Sequence, residues 1–106
     1  EAVQIYQGLR DIWKSAKSDG LRVIAFKILP FSDGLSNARK QRIWSEVNTL
    51  IASESTDYDC LVDFSKNSLL SDSSDISIFA DGIHLTPRGD NLLAEEIKKK
   101  CLDYLI

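Results

Sequence analysis

Asp81 and His84, the latter being the single histidine of the chain, stand three positions apart in Phe79-Ala80-Asp81-Gly82-Ile83-His84-Leu85-Thr86-Pro87-Arg88-Gly89. That spacing suits two members of a catalytic triad. A carboxylate that holds one ring nitrogen fixes the tautomer of the imidazole, which then takes a proton from a hydroxyl nucleophile and returns it to the leaving group. A tight turn at Gly82 would bring the two side chains together. A metal site is the weaker use of this pair, because two ligands are offered without a second histidine or clustered cysteines. Phosphate-cradling glycine motifs and zinc spacings are also missing, so neither a metal nor a cofactor is expected.

A triad needs a hydroxyl. Ser32, in Pro30-Phe31-Ser32-Asp33-Gly34, is the best local candidate because its loop follows an apolar, strand-like run. It lacks the G-x-S-x-G elbow. Ser71, Ser73 and Ser74 read as loop polarity, Asp63 as a strand-end carboxylate that caps a turn, and Arg88 as an exposed arginine without an assigned role.

The Asp-x-x-His element followed by Thr-Pro-x-Gly near the C-terminus resembles the last conserved block of the SGNH, or GDSL, hydrolases. The resemblance implies a serine esterase on a flavodoxin-like three-layer α/β/α fold with parallel strands, with His84 as general base and Asp81 as its partner. The apolar-Asp step Val62-Asp63 is similar to the end of the family's preceding strand. In the family the nucleophilic serine lies in a Gly-Asp-Ser element near the start of the domain, and this chain contains no Gly-Asp-Ser. The family's two oxyanion-hole blocks are unmatched as well. Residues 1–106 therefore resemble the C-terminal segment of a single SGNH hydrolase-like domain, inactive alone. The implied substrate is a small-molecule or carbohydrate ester, and the implied partner is the absent N-terminal segment or a second copy of the chain. Two other readings stay open: a non-catalytic α/β interaction module in which residues 81–89 are only a turn and a helix cap, and an SGNH-like domain that has lost catalysis and keeps a carbohydrate-binding groove.

The elements that must position these residues follow from periodicity. Val3, Tyr6, Leu9, Ile12, Trp13 and Ala16 recur at helical spacing and predict a helix over residues 2–17, closed by Asp19-Gly20. Residues 21–30 are mostly apolar and β-branched, as in a parallel strand covered on both faces. Ile43, Trp44, Val47, Leu50 and Ile51 predict a second helix over residues 37–52 with a basic, solvated first half. Residues 58–65 read as a second strand, and the serine- and aspartate-rich residues 67–80 as a surface loop. Thr86 as N-cap and Pro87 in the first turn open a last helix over residues 87–104. Alternating helices and strands imply a parallel sheet with βαβ connections, in which functional groups gather beyond the carboxyl ends of the strands.

The 106 residues are 43% hydrophobic and 27% charged, which excludes a disordered chain. A net charge of −3 gives no electrostatic footprint for nucleic acid. No apolar run reaches the roughly 20 residues that span a bilayer, and residues 1–4 carry no signal-peptide pattern. The chain has no methionine, so the reading expects upstream residues to have been removed. Cys60 and Cys101 are expected as two buried free thiols.

Overall fold

A computed structural model describes residues 1–32, 37–53 and 56–105. Helix α1 (Ala2–Ser18) leads to strand β1 (Ile24–Phe26), helix α2 (Ala38–Ser53) to strand β2 (Cys60–Val62), and a 3-10 turn (Phe64–Lys66) to an irregular stretch before helix α3 (Pro87–Cys101). A last 3-10 turn, Leu102–Tyr104, follows α3. The strands pair in parallel, Ile24 with Cys60, Ala25 with Leu61 and Phe26 with Val62.

The three-layer flavodoxin-like architecture is not what the chain forms. Among the described residues there is a single sheet of two strands, each of three residues. The apolar run of residues 21–30 promises a longer strand, but side chains end the ladder early. The amide of Ile28 donates to Asn48 Oδ1 at 2.7 Å, while its carbonyl accepts from Asn48 Nδ2 at 3.0 Å and from Trp44 Nε1 at 2.8 Å. Both backbone groups of Ile28 are thus satisfied by α2 rather than by a strand. On β2, Asp63 stops the ladder by accepting from the Ser65 amide at 2.9 Å, the turn-capping role its position suggests, and it pairs with Lys27 at 3.0 Å.

Two apolar clusters hold these elements. In the first, Ala2, Tyr6 and Trp13 of α1 meet Val47 and Ile51 of α2 around Val23, Ala25 and Tyr58. Trp13 lies edge-on to Tyr58 at 5.3 Å and to Tyr6 at 6.3 Å, geometries that suit the aromatic quadrupole. In the second, Phe64, Leu70, Ile78 and Phe79 pack with Leu85, Leu92 and Leu93.

That second cluster revises the expectation for residues 67–80. They are not merely a surface loop: Leu70, Ile78 and Phe79 are fully buried. The polar residues between them do backbone work. Asn67 Oδ1 accepts the amides of Leu69 and Leu70, Asp72 Oδ1 that of Ser74, and Asp75 Oδ1 that of Ser77. Each such side-chain turn satisfies amides that would otherwise demand a helix or a strand, leaving the apolar side chains free to point inward.

The cysteines are also not free. Cys60 at the start of β2 and Cys101 at the end of α3 form a disulfide with Cα atoms 5.9 Å apart, because α3 packs along β2 and brings its last turn beside the strand. The bridge closes a separation of 41 residues, for which the chain-entropy account gives about 4 kcal/mol of stabilisation. No helix of the described residues is long and apolar enough to cross a membrane.

Candidate active site

The turn that carries Asp81 and His84 is held by the backbone on both sides. Phe79 and Leu85 form an antiparallel bridge, the amide of Ala80 donates to the carbonyl of His84 at 2.8 Å, and the amide of Thr86 donates to that of Ile78 at 2.8 Å. Between these rungs Gly82 takes φ +82°, a left-handed conformation that glycine adopts without strain. A side chain there would also collide, since an added Cβ would lie 2.7 Å from Ser32 Oγ.

Asp81 organises this turn with both oxygens. Oδ1 accepts the amides of Ile83 at 2.9 Å and His84 at 2.7 Å, and Oδ2 meets His84 Nδ1 at 2.6 Å. The amide of His84, its ring and the amide of Ile83, in that order, hold the Asp81 carboxyl well below its ordinary value of 3.8. With an ionised acceptor on Nδ1, that nitrogen carries the hydrogen, and the lone pair of the neutral ring lies on Nε2. The His84 side chain is 78% exposed, and Nε2 has no hydrogen-bond partner among the described residues.

The start of α3 fixes where this turn sits. Thr86 Oγ1 accepts from the Gly89 amide at 3.1 Å, an N-cap, and donates to the Ser77 carbonyl at 2.6 Å. Pro87 takes the first helical turn, where its missing amide costs nothing. Gly89 is buried because the helix lies against the preceding chain: an added Cβ would stand 2.5 Å from the Ile78 carbonyl oxygen. The Thr-Pro-x-Gly sequence is therefore a cap, a start and a close backbone approach.

Asp81 and His84 are thus brought together as their spacing suggests. Ser32 is brought to the turn but not to the imidazole. Its amide donates to the Gly82 carbonyl at 2.9 Å, while its hydroxyl donates to the Ser73 carbonyl at 3.2 Å and lies 3.3 Å from the Ser73 hydroxyl. No serine among the described residues hydrogen-bonds His84 Nε2. Ser71 and Ser74 are tied to their own turn, Ser71 to the carbonyls of Phe64 and Asn67 and Ser74 to Asp72. Arg88 donates to Ser77 Oγ at 3.1 Å. Among the described residues, no group of three histidine, cysteine, aspartate or glutamate side chains assembles that could hold a metal ion.

Sequence reasoning missed Asn48 and read Ser73 only as loop polarity. Ser73 is buried and receives Ser32, and Asn48 anchors the segment from which Ser32 projects. A single buried asparagine facing a strand end carries no periodic signal. Arranged this way, the site can accept a proton at Nε2 while Asp81 stabilises the resulting imidazolium. Comparisons with protein-family models, with curated proteins and with solved structures return no match for this chain.

Proposed function

We propose that this chain supplies the general base of an ester hydrolase, His84, together with the carboxylate that orients it, Asp81. The observation that carries the reading is the 2.6 Å contact between Asp81 Oδ2 and His84 Nδ1 on an imidazole whose Nε2 is open to solvent. Nε2 takes the proton from a serine hydroxyl as that oxygen attacks the ester carbonyl, then gives it to the departing alcohol, a contribution of roughly 10²- to 10⁴-fold. The likeness of residues 81–89 to the last SGNH block supports the same assignment.

No serine among the described residues hydrogen-bonds Nε2, and the SGNH likeness puts the nucleophile in a Gly-Asp-Ser element that this chain does not contain, so this reading takes the nucleophile and its oxyanion donors from a partner: another polypeptide segment or a second copy of the chain. Val3, Ile5 and Ile12 on α1 are exposed apolar side chains, and the edge of β1 away from β2 has no strand beside it among the described residues. Such surfaces favour association. The substrate is a small-molecule or carbohydrate ester.

One observation favours a second reading. Asp81 Oδ1 accepts two backbone amides, so a non-catalytic module could keep this aspartate for its turn alone. Activity-based labelling separates the two. The full-length polypeptide is treated with a fluorophosphonate and assayed with 4-nitrophenyl acetate, with His84→Ala as control. A labelled serine and hydrolysis that falls at least about 10²-fold in the variant support the hydrolase. Absence of labelling overturns it in favour of the module.

A further inference from the structure

The net charge of −3 conceals a cationic end of the molecule. Lys98, Lys99 and Lys100 are exposed in the last turn of α3, and Arg22 reaches the turn that follows, donating to the Asp103 carbonyl at 3.3 Å. The bridge from Cys101 to Cys60, whose amide donates to the Val23 carbonyl at 3.3 Å, fixes the end of α3 beside this arginine. Asp19 and Asp103 oppose these charges, while Asp59 is occupied by Lys17 at 2.6 Å. Cations are therefore in excess. The same end exposes apolar side chains: Leu21 is 60% exposed, Leu102 49% and Leu105 50%, with Tyr104 beside them.

Lysines near a helix C-terminus complement its dipole, which accounts for the charge but not for the leucines held in water beside it. Cationic and long aliphatic side chains on one surface are the pattern of a protein lying on an anionic bilayer, where the aliphatic groups enter the headgroup boundary and the ammonium groups meet lipid phosphates. We propose that this end of the chain docks on a membrane surface rich in anionic lipid, without crossing it. Charge selects this occupant over others. A two-fold contact between copies would set the lysines of one against those of the other. Single strands of nucleic acid are bound through aromatic platforms, and Tyr104 is the one aromatic side chain in the patch. None of these side chains lines a main cavity among the described residues, so no groove there receives a peptide. The patch and the Asp81 to His84 turn lie at opposite ends of the 15-residue α3, roughly 20 Å apart. Docking leaves the imidazole accessible and is independent of the hydrolase reading.

The test is flotation of the chain, disulfide intact, with vesicles of phosphatidylcholine alone or with roughly one lipid in three replaced by phosphatidylglycerol. Binding is expected to the mixed vesicles only, and to weaken as salt rises from roughly 0.05 to 0.5 M. Each lysine contributes about fivefold near such a surface, so Lys98→Gln, Lys99→Gln and Lys100→Gln together should weaken binding about 100-fold. The three corresponding changes to arginine should retain it. Leu102→Ser with Leu105→Ser should weaken it at least about tenfold. All five positions are exposed, and circular dichroism checks that each variant keeps its helices. No binding, equal binding to both vesicle types, or mixed-vesicle binding that survives the glutamine changes would each overturn the proposal. So would lysine-dependent binding that ignores the leucine changes, or tighter binding to a single-stranded oligonucleotide than to the mixed vesicles. A dimer in solution that the leucine changes dissolve would overturn it in favour of a second copy.

Discussion

The two carboxylate oxygens of Asp81 divide their work on His84: Oδ1 holds its backbone amide at 2.7 Å, and Oδ2 holds its ring at 2.6 Å. One side chain therefore sets both where the imidazole is and how it is turned. An asparagine can reproduce the first task but not the second, because the group it would place opposite Nδ1 is an NH₂. Asp81→Asn is expected to leave the fold intact and to move the ring hydrogen from Nδ1 to Nε2. Long-range ¹H–¹⁵N NMR of the imidazole reads the tautomer directly, and an unchanged ring spectrum would refute the arrangement.

Protonation of Asp81 gives a second test. Its folded-state value lies below the ordinary 3.8, chiefly because the His84 amide and ring donate to the charged form. A depressed carboxylate contributes stability that is full above its unfolded value of about 3.9 and is lost as pH falls toward the folded one. The difference in Tm between wild type and Asp81→Asn should thus shrink as pH falls below about 4. A gap that widens between about pH 4 and pH 2 would have the wrong sign.

Gly82 should tolerate no side chain. Gly82→Ala must place a Cβ at φ +82° and within 2.7 Å of Ser32 Oγ, where the left-handed backbone alone costs about 1–2 kcal/mol. Thermal unfolding is expected to show a Tm lower by several degrees, since about 1 kcal/mol corresponds to roughly 4–8 °C in a domain of this size. Ser32→Gly removes the atom in the way and should recover part of the loss.

Asn48 offers a test remote from the turn. It satisfies both backbone groups of Ile28 from a buried position, and its replacement by alanine leaves the Ile28 amide without that partner. Removal of such a partner costs about 1–3 kcal/mol. Denaturant unfolding of Asn48→Ala checks the magnitude, and hydrogen exchange at Ile28 checks the cause.

Much of the secondary structure is legible in the chain, and much of the tertiary structure is not. The helical spacing of Tyr6, Leu9, Trp13 and Ala16 and the Thr86-Pro87 start predict α1 and α3 to within a few residues. The Asp81 and His84 contact is legible too, because it is local: three residues and a glycine turn suffice. Strand length is not, since what halts β1 is Asn48, 20 positions away from the Ile28 it holds. The burial of Leu70, Ile78 and Phe79 is hidden for a related reason: the Ser/Asp pattern around them signals turns, and nothing local says that the turns face inward. The pairing of Cys60 with Cys101 depends on α3 lying along β2, a long-range fact that spacing alone does not carry.

The covalent bridge between Cys60 and Cys101 has a consequence for handling the molecule. A protease that nicks the backbone anywhere in the intervening stretch, the Asp81 to His84 turn included, yields two peptides that still migrate as one species until a thiol reductant parts them. Peptide mapping under oxidising and reducing conditions therefore distinguishes an intact chain from a cut one that non-reducing gel mobility alone would pass as whole.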